Sequence, residues 1–177
     1  PLRDLAHMAE QELAAFQLAT TDELTQLSNR RGFTSLAEHT LSLCRRTGTP
    51  SSLLFLDMDR FKQINDRYGH AEGDQALRSF ASLLTTTFRD SDVVGRLGGD
   101  EFVVLLINAA AQACTEALGR LQHAVDAHNL ASRRSFKLEF SAGQLPYDPA
   151  RHTSIDDLLQ EADKLMYECK RNRRRAA

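Results

Sequence analysis

The chain has 177 residues, 42% hydrophobic and 26% charged, with a net charge of -2. That suits one globular domain with a real core plus one appended element, and excludes a polyanion binder acting through overall charge. Three cysteines, Cys44, Cys114 and Cys169, are odd in number and far apart, with no C-x-x-C pair and no Cys/His cluster. This excludes a disulfide framework and a zinc site, and fits a reducing compartment. No apolar run approaches the ~20 residues of a membrane span, and no signal-peptide pattern is present. A chain opening on Pro1 reads as a piece of a longer protein, with an upstream sensor or membrane anchor expected before it.

In chain order, Leu2, Leu5, Ala9, Leu13 and Phe16 recur at helical steps. They predict a helix over 2–19 with a narrow apolar stripe, more like the end of a coiled-coil stalk than a core helix. Residues 1–20 are therefore read as a signalling stalk and 21–177 as the main domain. Residues 20–32 are crowded with Thr, Asp, Ser and Asn and read as a structured loop capping the next helix, 33–46. Thr47-Gly48-Thr49-Pro50 ends that helix.

Residues 51–57 form an expected strand whose run Leu53-Leu-Phe-Leu56 does not alternate, as when both faces are covered. It ends in Asp57-Met58-Asp59, where strand alternation puts both acids on one face, roughly 7 Å apart. A short helix and turn over 60–70 follow, then a helix over 71–88. Val93-Val94 and Phe102–Ile107 flank Gly98-Gly99, which reads as a β-hairpin carrying Asp100 and Glu101 at its tip. Adjacent acids there repel each other unless a cation is present. A helix over 110–128, a strand over 136–145 and a helix over 154–173 complete the chain. The expected architecture is an α/β (α+β) sandwich: one mixed sheet with helices against it, near the ferredoxin-like β-α-β-β-α-β pattern.

Several residues suggest chemistry by their type and position. Asp57 and Asp100 end neighbouring strands, and hard carboxylate oxygens that leave room for phosphate suit Mg²⁺. Arg60-Phe61-Lys62 starts a helix directly after a strand, where free N–H groups attract anions and Lys62 adds charge. Lys170 and Arg174, four apart, share a helix face. Asp74 and Asn65 flank a turn, and a carboxylate there can accept the N1–H and amino group of guanine.

Asp22–Arg31, Asp57–His70, Gly73-Asp74, Gly98-Gly-Asp-Glu-Phe102 and Ala162-Asp-Lys-Leu-Met-Tyr-Glu-Cys-Lys170 occur in the order seen in GGDEF domains. The chain resembles a bacterial diguanylate cyclase, over about 21–174. The resemblance implies a core of nucleotidyl-cyclase type and condensation of two GTP into cyclic di-GMP with loss of two pyrophosphates. It implies metal ligation, by Mg²⁺ or alternatively Mn²⁺, at Asp57, the Met58 carbonyl, Asp100 and Glu101, with catalysis at Asp100, Glu101 and Lys62. Glu101 is a general base, a second metal ligand, or both. Substrate contacts fall to Phe61, Lys62, Asn65, Asp74, Lys170 and Arg174. Arg89 and Asp92 match an Arg-x-x-Asp product-inhibition site, with Arg120 a further contact. Each domain would hold one GTP, so a homodimer is mechanistically required. The domain is expected in the cytoplasm, with a membrane anchor possible upstream and no nucleic-acid polymer as partner.

One departure stands out. The family usually closes Lys-x-x-Gly-Arg-Asn, whereas this chain has Lys170-Arg-Asn-Arg-Arg-Arg175, so the last helix can run on. That gives a rival reading its foothold: a catalytically silent receptor for GTP or cyclic di-GMP. A cyclase making another cyclic nucleotide is a third.

Overall fold

The computed structural model describes residues 19–176, with side chains through Asn172. The expected stalk therefore lies outside the described residues, apart from Ala19 and Thr20, which are helical. The elements are α1 (Arg30–Thr47), β1 (Ser51–Met58), α2 (Phe61–Tyr68), α3 (His70–Thr87), β2 (Val93–Gly98), β3 (Glu101–Ile107), α4 (Ala111–Ala131), β4 (Phe140–Pro146) and α5 (Ile155–Ala176). The β-α-β-β-α-β core is thus present, with an extra helix at each end.

The sheet order is β2-β3-β1-β4. Every pairing between these strands is antiparallel, which corrects the expectation of a mixed sheet; among the described residues the one parallel contact is an isolated bridge from Ser28 to Gly95. β1 and β2 run in the same direction, but β3 lies between them, so no parallel pair forms. The unbroken apolar run in β1 has another cause: helices cover both faces of the sheet. Leu54, Leu56, Met58, Phe102, Val104 and Leu106 pack with α3 and α4. Leu53, Phe55, Val103, Leu105 and Leu145 pack with α1 and α5. Two cores, one sheet, three layers: no side of β1 or β3 is left for a polar stripe.

Strand alternation then decides where the acids point. Asp57 and Glu101 share the parity of Leu53, Phe55, Val103 and Leu105, so both face the α1/α5 layer. Met58 goes to the other layer and is 1% exposed. Phe102, next to Glu101, is fully buried, with its ring 5.1 Å from that of Phe80 in an edge-on arrangement. That contact anchors the first turn of β3 to α3.

Several boundaries differ from the sequence reading by a few residues, and three have a clear local cause. α1 starts at Arg30 because the Asn29 side chain accepts the Gly32 N–H at 3.0 Å. β4 starts only at Phe140, because Asn129 on α4 takes both the N–H and the carbonyl of Leu138 at 2.8 Å. α5 runs through Ala176, past the position where the family pattern has glycine.

Candidate active site

The site forms where β1, β3 and the start of α2 meet. Asp57 lies opposite Glu101 in the β1–β3 register, and the Met58 N–H donates to the Asp100 carbonyl at 3.1 Å. Asp57, Asp100 and Glu101 are thus brought together by backbone pairing alone. The hairpin needs both glycines: Gly98 has φ 148° and Gly99 φ 51°, values disfavoured for residues with a Cβ. Gly98 pairs with Glu101, so Gly99 and Asp100 form the two-residue tip.

The acids are costly in this position. Burial pushes the Asp57 pKa up, with Asp100 and Asp59 adding to it and Lys170 opposing. Burial likewise raises Glu101, with Asp163, Asp57 and Asp100 adding and Arg30 opposing. Lys170, on α5, forms an ion pair with Asp57 and lies 4.0 Å from Asp59. The Ser141 hydroxyl lies 2.9 and 3.0 Å from the two oxygens of Asp59.

The donor set fits a hard divalent cation in part. Asp57, Asp100 and Glu101 are carboxylates at one strand end, and burial together with mutual repulsion raises two of them, as expected where a cation belongs. Among the described residues no three acidic, histidine or cysteine side chains converge closely enough to hold an ion by themselves. Phosphate oxygens are the natural complement to such an incomplete shell.

Beside the acids, α2 begins at Phe61 with Arg60 at φ 59°, no side-chain cap and no acid in its first turn. Its leading N–H groups therefore favour an anion, and exposed Lys62 sits in the same turn. One turn on, Asn65 meets the start of α3. A Cβ on Gly73 would lie 1.9 Å from Asn65 Oδ1 and 3.4 Å from the Phe61 ring. Glycine at 73 thus lets the first turn of α3, next to Asp74, pack directly against Asn65 and the Phe61 ring.

Two contributors were not assigned a role from sequence. Arg96 donates to the Gly99 carbonyl at 3.0 and 2.7 Å and to the two oxygens of Asp22 at 3.0 and 3.1 Å. Asp22 also accepts the Thr25 N–H at 2.9 Å and its hydroxyl at 2.6 Å. Burial works to raise the Asp22 pKa, but the Thr25 and Arg96 hydrogen bonds outweigh it and hold the carboxyl below the usual range. The loop around Asp22 is therefore tied to the hairpin turn. The spacing of Asp22 and Thr25 is an Asx-type turn signal, but nothing in the sequence pairs it with Arg96.

The Arg-x-x-Asp pair lies elsewhere, just before β2. Asp92 accepts the Arg89 N–H and the Ile107 N–H, each at 3.0 Å, so it closes the base of the hairpin. Arg89 and Arg120 are exposed, and among the described residues no hydrogen bond or ion pair joins Arg120 to that pair. The Arg174 side chain lies outside the described residues.

The family profile described as "Diguanylate cyclase, GGDEF domain" matches residues 19–176. The chain belongs to the GGDEF family. Among relatives, it is 33% identical to the probable diguanylate cyclase DgcC of Escherichia coli K12 over 93% of this chain and 44% of that protein. It is 36% identical to the diguanylate cyclase DosC of the same strain over 86% of this chain and 33% of that one. The chain thus spans less than half the length of these relatives. Among solved structures, the coiled coil and GGDEF domain of DgcB from Caulobacter crescentus, in complex with c-di-GMP, superposes with a TM-score of 0.88 at 27% identity. That match covers 97% of this chain and 91% of the other. The diguanylate cyclase SiaD of Pseudomonas aeruginosa, solved with its activator SiaC, gives a TM-score of 0.81 at 28% identity, covering 96% of this chain and 65% of SiaD. The GGDEF domain is a mixed α/β fold of the diguanylate cyclase class. Among its described residues no helix is long and apolar enough to cross a membrane.

Proposed function

We propose that this GGDEF domain condenses two GTP into cyclic di-GMP, releasing two pyrophosphates. The observation that carries the reading is the strand register: Asp57, Asp100 and Glu101 are fixed together beside an uncapped helix start, with Asn65 one helix turn beyond and against the first turn of α3, which precedes Asp74. That layout fits a triphosphate at the strand end and a purine between α2 and α3.

In each half-reaction the 3′-oxygen of one GTP attacks the α-phosphorus of the other. A new P–O bond forms, the bond to the β-phosphate breaks, and pyrophosphate leaves with the electron pair. Glu101 is the candidate acceptor of the hydroxyl proton, since its raised pKa brings it closer to the task than a free carboxylate. Asp57, the Met58 carbonyl and Asp100 would hold Mg²⁺ or Mn²⁺. Bound there, the ion supplies charge neutralisation for the phosphates. Lys62 and Lys170 supply fixed positive charge for the outer phosphates, and Phe61 walls the cleft. Asn65 and Asp74 select guanine through its N1–H and amino donors.

A single domain presents one such half-site, so turnover needs two facing copies, and we read the working unit as a cytoplasmic homodimer. Arg89 and Asp92 would bind product and inhibit, with Arg120 a further contact from α4. Asp100→Ala should lower cyclic di-GMP formation at least ~10²-fold with an unchanged circular dichroism spectrum. The assay is GTP plus Mg²⁺ with chromatographic identification of the product; undiminished synthesis by the variant would refute the site. Tight GTP binding without turnover by the parent protein would instead support the receptor reading.

A further inference from the structure

Asp57 cannot turn away from the cleft, because β1 is paired on both sides through this residue. Its side chain is only 13% exposed, and Asp59 on the same face is 17% exposed. Two acids so placed need a counter-charge at all times. In this structure the counter-charge is Lys170, whose side chain is 18% exposed and whose ammonium pairs with Asp57 and approaches Asp59 at 4.0 Å. The position is not accidental: α5 packs on the sheet face to which Asp57 and Glu101 belong.

We infer that Lys170 is the resident counter-ion of Asp57 and makes metal loading conditional on nucleotide. The inference rests on the cyclase reading for its second half. The ammonium occupies a carboxylate oxygen that a divalent cation needs, and a cation entering beside it would meet a like charge. A triphosphate changes the balance. It offers oxygens to which the ammonium can swing on its four-carbon stem, and it brings its own ligands for the ion. Metal and nucleotide therefore enter together, while the empty domain takes up the ion poorly. Lys170 serves as a phosphate contact in one state and as a gate in the other.

The test reads metal binding rather than turnover. Mn²⁺ affinity is measured by electron paramagnetic resonance for the parent protein, Lys170→Met and Lys170→Arg, each alone and with saturating α,β-methylene GTP. Alone, Lys170→Met should bind Mn²⁺ about tenfold more tightly than the parent, whereas Lys170→Arg, which keeps the charge, should stay weak. With the analogue all three should bind, so the nucleotide-dependent gain shrinks in Lys170→Met only. Lys170→Gln serves as a second uncharged variant should the methionine protein not fold. Equal Mn²⁺ affinity of the uncharged variants and the parent without nucleotide, with normal tightening by the analogue, overturns the gate and leaves the cyclase reading standing. Failure of every protein to take up Mn²⁺ even with the analogue overturns the metal-dependent cyclase reading itself, and the gate with it.

Discussion

Glu101 holds its carboxylate against the local field. Burial, then Asp163, Asp57 and Asp100, raise its pKa above the ordinary 4.5, and Arg30 only partly offsets them. An acid with a raised pKa binds its proton more tightly in the folded chain than in the unfolded one. Stability therefore falls as pH climbs through 4.5 toward the folded value, and the full penalty stands at neutral pH. Glu101→Gln should raise the melting temperature at pH 7 while abolishing turnover, and the gain should vanish below pH 4. Scanning calorimetry at the two pH values checks it. Asp22 titrates with the opposite sign. Its pKa is lowered, so its contribution is complete above 3.8 and is lost as pH falls through the folded value. Acid should thus loosen the Asp22–Arg96–Gly99 clamp. At this scale the sequence was legible where placement is local, as for Asp57 at the end of β1 and Asp100 and Glu101 at the hairpin. It was silent on Arg96 with Asp22, since 74 positions separate them and no periodicity links a loop acid to a strand arginine.

Helix α3 shows how an element's placement would become specificity in the proposed reading. Its first turn presses on Asn65, and only the missing side chain at Gly73 permits the approach. Gly73→Ala gains helix propensity, worth up to about 1 kcal/mol, so a large loss of stability is not expected. The methyl group instead displaces the Asn65 amide. KM for GTP should rise about tenfold, the worth of one good hydrogen bond, with a smaller change in kcat. Steady-state kinetics on the purified variant decides it, and an unchanged KM would remove Asn65 from guanine recognition. The strongly periodic helices and the paired hairpin were readable from pattern. The late start of β4 was not, because Phe136, Leu138 and Phe140 alternate as a strand should while Asn129 takes the Leu138 backbone for itself. The length of α5 was foreshadowed by Arg173 replacing glycine, and its backbone continues through Ala176.

Across the whole molecule, the proposed catalytic and inhibitory surfaces sit at opposite ends of one hairpin. Val93 to Gly98 spans five strand steps, about 17 Å, so product held at Arg89 cannot touch the acids of its own domain directly. Arg89→Ala should relieve product inhibition at least tenfold without loss of stability, because its exposed guanidinium has no hydrogen bond or ion pair among the described residues. Asp92→Ala is the poorer probe, since Asp92 also holds the Ile107 N–H. Inhibition curves with added cyclic di-GMP separate the outcomes; an unshifted curve for Arg89→Ala would move the inhibitory site elsewhere. Sheet direction was misjudged at this scale for a physical reason: a two-sided burial pattern cannot distinguish a parallel strand from an antiparallel one covered by helices on both faces. That same central strand has a mechanical corollary. With β3 on one flank and β4 on the other, Asp57 is braced by ladder bonds that no modest bend can release. In the cyclase proposed above, turnover would then be governed by encounter, by how often and how squarely one rigid half-cleft meets its counterpart.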